Sequence, residues 1–314
     1  MTSSPLYLPE MINSNILVQD NSIENLRKEA HECFKLQKFF KTLEFFEEIL
    51  KNDQHSPEDQ KNASTWNLSF NKFELENLNE LTNALCKNST VTSLNLGYSK
   101  LGAEGGKALA NVLCKNSTLT SLDLTCNNLG SEGGKLLADA VCKNSMLTSL
   151  DLSLNNLGSE GGKALANALC KNSMLTSLRL GSNELGSEGG KALADALCKN
   201  STLTSLDLYY NNLGSEGGKS LADALCKNFT LAYLCLSSNE LGLDGGKALA
   251  DVLYKNSTLT SLNLLNNNLG SEGGKALADA LCKNSTLISL YLIVISLPQK
   301  EEMHLQMHFV RIPR

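Results

Sequence analysis

Histidine is almost missing from this chain: the four are His31, His55, His304 and His308, with none between the inner two. In that long middle no nucleophile can be given an imidazole base, and no cysteine can complete a mixed zinc set. Positive charge is also in short supply. The formal net charge is −5 and the pI about 5.5, a balance that argues against nucleic acid or an anionic membrane as partner. No run reaches the ~18 apolar residues of a membrane-spanning helix. No basic residue precedes Arg27 and no apolar signal core opens the chain, so the expected setting is cytoplasmic.

What the chain has instead is a repeat. The block Leu119-Thr-Ser-Leu-Asp-Leu-Thr-Cys-Asn-Asn-Leu-Gly-Ser-Glu-Gly-Gly-Lys restarts at Leu147, Leu175, Leu203, Leu231 and Leu259, a period of 28 residues. The phase extends upstream through Val91, Leu94, Leu96 and Leu101, with Ser99 in place of the usual Asn. It continues to Ala63, Trp66, Leu68, Asn71 and Phe73. Eight full copies therefore span 63–286. A ninth starts at Leu287, Leu290 and Leu292 but lacks the Leu-Gly-Ser-Glu-Gly-Gly helix start.

Each repeat position has a physical reading, taken here from one copy. Leu150 and Leu152 alternate as in a strand, which turns Ser149, Asp151 and Ser153 to the opposite face. Leu147 and Leu157 complete the inner core. Asn155 stands where the chain leaves the strand, and its amide can satisfy backbone groups in the turn. Ser159 is expected to cap the following helix, with Glu160 at its positive end. Gly161 and Gly162 weaken a helix, so they imply close passage of a neighbouring backbone. Leu165, Ala168 and Leu169 face inward at helical spacing, flanked by Ala164 and Ala166. Asn172 is expected to take a left-handed cap that returns the chain to the next strand. The sequons at Asn88, Asn116, Asn200, Asn228, Asn256 and Asn284 are then turn residues, not expected to carry sugar.

The pattern L-x-x-L-x-L-x-x-N-x-L with a Gly-x-Glu-Gly helix start resembles the ribonuclease-inhibitor type of leucine-rich repeat over residues 63–292. That type also occurs in Ran GTPase-activating proteins and in the sensor arms of NOD-like receptors. The resemblance implies an α/β horseshoe solenoid, with parallel strands on the concave face and helices on the convex face. It implies a protein partner, while class members differ in what they bind. No nucleotide-binding domain accompanies the repeats. Residues 1–22 have no apolar periodicity and are expected to be a flexible N-terminus. Residues 23–62 are expected to form a helical hairpin that caps the first coil: Ala30-His-Glu-Cys-Phe-Lys-Leu-Gln-Lys-Phe39 and Leu43-Glu-Phe-Phe-Glu-Glu-Ile-Leu50 resemble one tetratricopeptide unit. Thr42 and Ile49 depart from its small-residue positions. Trp66 falls on a core position beneath this cap. Residues 293–314 are expected to be an irregular tail. The apolar run 287–297, with no following helix, is an open edge expected to promote self-association.

Ten cysteines suggest disulfides or metal less than their number implies. Cys86, Cys114, Cys142, Cys170, Cys198, Cys226 and Cys282 share one repeat position, with Tyr254 in the remaining copy. Helices packed ~8–10 Å apart hold row neighbours too far apart to be bridged. Cys33, Cys126 and Cys235 show no metal-ligand spacing. Gly214-Ser-Glu-Gly-Gly-Lys219-Ser220 imitates a phosphate-binding loop, but its first Gly is one residue too close and it begins a repeat helix. No cofactor, metal or catalytic constellation is expected.

Function is then sought where the repeat varies. The middle concave position runs Asn95, Asp123, Asp151, Arg179, Asp207, Cys235, Asn263 and Tyr291. Arg179 is the only arginine of the solenoid and is flanked by Asp151 and Asp207. Tyr209, Tyr210 and Tyr233 interrupt a surface rich in Ser, Gly and Asn, and Tyr and Arg most often supply interface energy. The expected contact patch is Asp151, Arg179, Asp207, Tyr209, Tyr210 and Tyr233, on a non-enzymatic interaction scaffold. The alternative is a regulator of enzyme activity, such as a GTPase activator or an enzyme inhibitor.

Overall fold

The computed structural model describes the backbone of residues 11–296 and 303–310 and the side chains of 23–292. Three helices come first: α1 (Met11–Lys35), α2 (Phe39–Lys51) and α3 (Pro57–Ser64). The chain reverses between α1 and α2 with Gln37 in a left-handed conformation, φ 56°. Phe39, Thr42, Leu43 and Ile49 of α2 are buried. The segment read as a flexible N-terminus lies outside the described residues up to 10. From Met11 it belongs to α1, well before the expected helical start at 23.

The short helix α3 is set by a capping box: the Ser56 hydroxyl accepts from Asp59 N at 3.2 Å, and Asp59 Oδ2 accepts from Ser56 N at 2.7 Å. Arg27 of α1 grips the same carboxylate with Nε at 2.9 Å and Nη2 at 2.7 Å, tying α1 to α3. Hydrogen bonds from Arg27 hold the Asp59 carboxyl well below the usual carboxylate range, against the opposing effect of burial. A depressed folded-state pKa contributes stability that is present above the ordinary value of about 4 and fades as pH falls below it. Asp59→Ala is accordingly expected to cost about 2–4 kcal/mol at pH 7, at the lower side because Arg27 is partly exposed. Urea melts at pH 7 and pH 3 check this, since the gap from the parent chain should shrink at pH 3.

The coils follow as strand and helix in alternation: β1 (Thr65–Asn67), α4 (Leu75–Lys87), β2 (Ser93–Asn95), α5 (Gly102–Lys115), β3 (Ser121–Asp123), α6 (Gly130–Lys143), β4 (Ser149–Asp151) and α7 (Gly158–Leu169). The series continues with β5 (Ser177–Arg179), α8 (Gly186–Leu197), β6 (Ser205–Asp207), α9 (Gly214–Leu225), β7 (Tyr233–Cys235), α10 (Gly242–Leu253), β8 (Ser261–Asn263), α11 (Gly270–Leu281) and β9 (Ser289–Ser296). Strands β1 to β9 pair in parallel with equivalent positions in register, as Leu94 with Leu122 and Leu150 with Leu178. One continuous core of Leu, Val and Ala runs from Phe39 and Trp66 to Leu292. Trp66 is buried against Phe34 and Phe39, ring centroids 5.3 and 5.9 Å away, as a core residue under the cap.

Two asparagine ladders stitch the coils together. At the strand exit, Asn155 Nδ2 donates to Leu124 O at 2.8 Å in the preceding coil and to Leu152 O at 3.0 Å in its own. Its Oδ1 accepts from Asn127 N at 3.0 Å and Leu129 N at 3.3 Å. The second ladder corrects the reading of Asn172. That residue is not among those with positive φ. Its Nδ2 donates to Val141 O at 2.8 Å, and its Oδ1 accepts from Met174 N and Leu175 N. Asn116, a sequon asparagine, is buried and engaged in the same way, so a folded coil has no free amide there to modify.

Ser159 also departs from expectation. Helix α7 starts at Gly158, φ 62°, after Leu157, and no side chain caps it. Instead Gly158 N donates to Asn183 O at 2.9 Å and Leu157 N to Asn183 Oδ1 at 3.3 Å, so the next coil's ladder residue caps the helix. The paired glycines do allow close passage: a Cβ at Gly134 would stand 2.8 Å from Leu157 Cδ2 and 3.7 Å from Gly161 Cα.

The C-terminal end also differs from the expectation. Strand β9 runs on to Ser296, and β10 (Met303–Val310) pairs with it antiparallel, Met303 opposite Ser296 and Val310 opposite Ser289. The tail read as irregular thus contains a strand, and the edge of β9 read as open is paired. The remaining tail positions, 297–302 and 311–314, lie outside the described residues.

Candidate functional site

The concave face is built from the odd positions of each strand and from the residue that follows two places later. Its middle row is less free than the sequence suggests. Asp123, Asp151 and Asp207 each turn Oδ1 back to the backbone N–H two residues on, at 2.8, 2.9 and 3.0 Å. Asn95 and Asn263 do the same at 2.8 and 3.1 Å. Asp or Asn stands here because an acceptor on a short side chain closes the strand exit as an Asx turn. Tyr291 departs from the rule at the C-terminal end of the row, and Arg179 and Cys235 depart from it in the middle. An arginine has no acceptor to offer, whereas the Cys235 thiol keeps a weak version of the turn, hydrogen-bonded to the Ser237 backbone and 3.3 Å from its hydroxyl.

These two exceptions lie at the centre of the expected patch. Arg179 stands in register between Asp151 and Asp207. Among the described residues it pairs only with Asp151, Nη1 to Oδ2 3.7 Å, and its side chain stays 63% exposed. Of the two flanking carboxylates only one is engaged, and an exposed pair at this distance contributes little stability. The Tyr209 ring lies across Gly181 of the preceding coil, where a Cβ would stand 2.0 Å from Tyr209 Cδ1. Only glycine admits that ring position. Tyr233 stands in β7 opposite Ser205 and Ser261. Burial, followed by the nearby Cys235 and Asp207, pushes its hydroxyl up to about 12, so it acts as a donor at neutral pH. Burial likewise raises the Cys235 thiol, which makes it a poor nucleophile.

Tyr210 does not join the group. It is 60% exposed with φ 50°, in the turn beyond the strand, and belongs to a different row on the rim. That row begins with Phe70 and Tyr98, whose rings stack with centroids 4.7 Å apart, and sequence reasoning missed it. The signal was present: Phe70, Tyr98, Leu154 and Tyr210 recur at one repeat phase where the other copies have Cys, Ser or Asn.

Among the described residues no group of three or more His, Cys, Asp or Glu side chains could hold a metal ion. All ten cysteines are unpaired, and four of the helix-end row are exposed. Lys219, the apparent phosphate-loop lysine, is held by Asp244 at 2.9 Å and Glu216 at 3.4 Å. Among the described residues no helix is long and apolar enough to cross a membrane. Among the described residues, one open cavity of about 550 Å³ lies under the cap beside Arg27, Asp59 and Trp66, and another of similar volume lies on the rim between Lys100 and Leu154.

A parallel sheet of short strands backed by helices, with an asparagine ladder along the strand exits from Asn127 to Asn267, defines a leucine-rich repeat solenoid. The chain belongs to that family: a Leucine Rich repeat matches at residues 87–110, 115–138, 143–166, 171–194, 199–222, 227–250 and 255–278. Among solved structures it is similar to the leucine-rich repeat-containing protein LegL7 from Legionella pneumophila, at 29% identity, TM-score 0.51, over 73% of each chain. It also matches a chain of the yeast Rad7 and Elc1 complex, at 18% identity and TM-score 0.46, over 90% of this chain and 81% of that one. The Caenorhabditis elegans tropomodulin C-terminal domain matches at 14% identity and TM-score 0.40, over 47% of this chain and 92% of that one. No curated protein matches. The 28-residue strand-and-helix coil agrees with the ribonuclease-inhibitor type of repeat, and such repeats in general are protein-interaction scaffolds.

Proposed function

We propose that this chain is a non-enzymatic scaffold of the cytoplasm that binds a protein partner on its concave face, centred on Arg179, Tyr209 and Tyr233. The observation that carries the reading is the break in the Asx row. Six described positions serve the turn with a side-chain oxygen, whereas Arg179 abandons it and Cys235 keeps it only through sulfur, and Tyr209 and Tyr233 cluster about the same place. A framework rule relaxed at one site is the mark of a second demand on that site. Ten unpaired thiols suit a reducing compartment.

The test begins with cross-linking capture of a partner from cells, followed by calorimetry with the purified pair. Tyr209→Ala with Tyr233→Ala is expected to weaken binding by ~1–3 kcal/mol per hot spot while leaving the circular dichroism melt nearly unchanged. Undiminished binding would place the site elsewhere. An enzyme as partner, a GTPase above all, whose rate changes on addition of the chain would turn the scaffold into a regulator. Self-association passes from β9 to the outer edge of the eight-residue β10, which pairs with no further strand among the described residues. Sedimentation as a clean monomer at tens of micromolar would remove it.

A further inference from the structure

The row at Phe70, Tyr98, Leu154 and Tyr210 breaks two rules at once. All four have left-handed backbone, with φ from 50° to 61°. The ladder imposes that conformation: Phe70 N donates to Gly97 O at 2.8 Å and Tyr98 N to Thr125 O at 2.7 Å. Left-handed backbone is costly for any residue with a Cβ except Asn and Asp, and a bulky side chain there is an outlier. In the other coils the same phase, equally left-handed, holds the smaller Cys126, Ser182, Ser238 and Asn266. Burial does not compensate, since the four side chains are 75%, 45%, 37% and 60% exposed. The chain accepts strained backbone in order to present apolar groups to solvent, and such outliers concentrate at binding sites.

Charge indicates what the row receives. Lys100, two residues beyond Tyr98 and also left-handed at φ 54°, lines the rim cavity with Leu154, Asn128 and Asn156. Lys72 is held by Glu74 at 3.5 Å, whereas Lys100 is in no ion pair among the described residues. Farther along the same row stand Glu184 and Glu240, so the positive end of the rim is the end with the stacked rings.

We propose that the rim from Phe70 to Leu154 is a second docking surface, separate from the concave patch. Its partner is a protein segment that carries large apolar side chains beside a carboxylate. The rings and Leu154 receive the apolar groups, and Lys100 receives the charge. Three coil spacings make the surface about 14 Å long, which a helix of about ten residues covers.

The full chain is panned against a phage-displayed library of random twelve-residue peptides, and the enriched sequences are synthesised and titrated. The expected consensus places Leu, Phe or Trp beside Asp or Glu. Its binding falls at least tenfold with Phe70→Asn and with Lys100→Glu, and is unchanged with Tyr209→Ala. Phe70→Asn is expected to melt no lower than the parent, because Asn tolerates the left-handed backbone. No enrichment, a consensus without acidic residues, or binding that survives Phe70→Asn overturns the proposal. So does a fall in melting temperature for Phe70→Asn, which would make the row a packing device.

Discussion

Asn155→Ala is expected to lower the stability of the solenoid by about 4–6 kcal/mol, the largest effect of any single side-chain truncation outside the apolar core. The amide it removes satisfies three carbonyls, those of Leu124, Leu152 and Ser153, and two amides, those of Asn127 and Leu129. Asn155 itself is fully buried, so water reaches these groups only if the coil opens. Each stranded buried group costs about 1–3 kcal/mol, and relaxation recovers part of the sum. Asn156→Ala is the control. Asn156 is exposed and its φ of 54° suits asparagine, so the loss there should stay near 1 kcal/mol. Urea denaturation followed by circular dichroism separates the two; equal midpoints would mean that the ladder does not join the coils.

Gly106→Val should produce a different kind of damage. A Cβ at Gly106 stands 3.1 Å from Gly133 Cα and 3.4 Å from Leu129 Cδ2, so α5 and α6 must move apart to admit the two methyl groups. The obstacle is backbone, which cannot rotate away. Higher helix propensity than glycine returns less than about 1 kcal/mol, against about 2–4 kcal/mol for overpacking. Because each coil of a solenoid touches only its neighbours, weakening one junction uncouples the array there. The expected melt has two transitions, with the N-terminal coils separating from the remainder. A single transition at the parent temperature would show that the helices have slack.

The coils were legible in the sequence because 28 residues recur with few changes: Leu150, Leu152 and Asn155 could be placed by alternation and turn chemistry alone. Ser159 and Asn172 could not be placed by local rules. Each has the residue type of a cap, yet α7 is capped from Asn183 of the next coil, and Asn172 joins a local turn to the Val141 carbonyl 31 residues back, a partner that no window within one repeat contains. The turn role of Asp151 was hidden for the opposite reason. Its variation across copies suggested surface freedom, while the Asx turn needs only an acceptor that Asp and Asn both supply. The start of α3 was recoverable from Ser56-Pro-Glu-Asp59, which has the spacing of a capping box after a proline-compatible turn. The early start of α1 and the pairing of β10 were not, since neither segment carries a repeat position to register it.

The chain holds one tryptophan, and the fold puts it where the helical cap meets the first coil. Its indole N–H is buried without a hydrogen-bond partner among the described residues. Emission from Trp66 therefore reports a single boundary of the molecule with no label added. Its band should shift to the red when the cap lifts and water reaches the ring, while the helical signal of the distant coils is still intact. The interval between the two curves along a denaturant axis would measure how tightly the cap and the array are coupled.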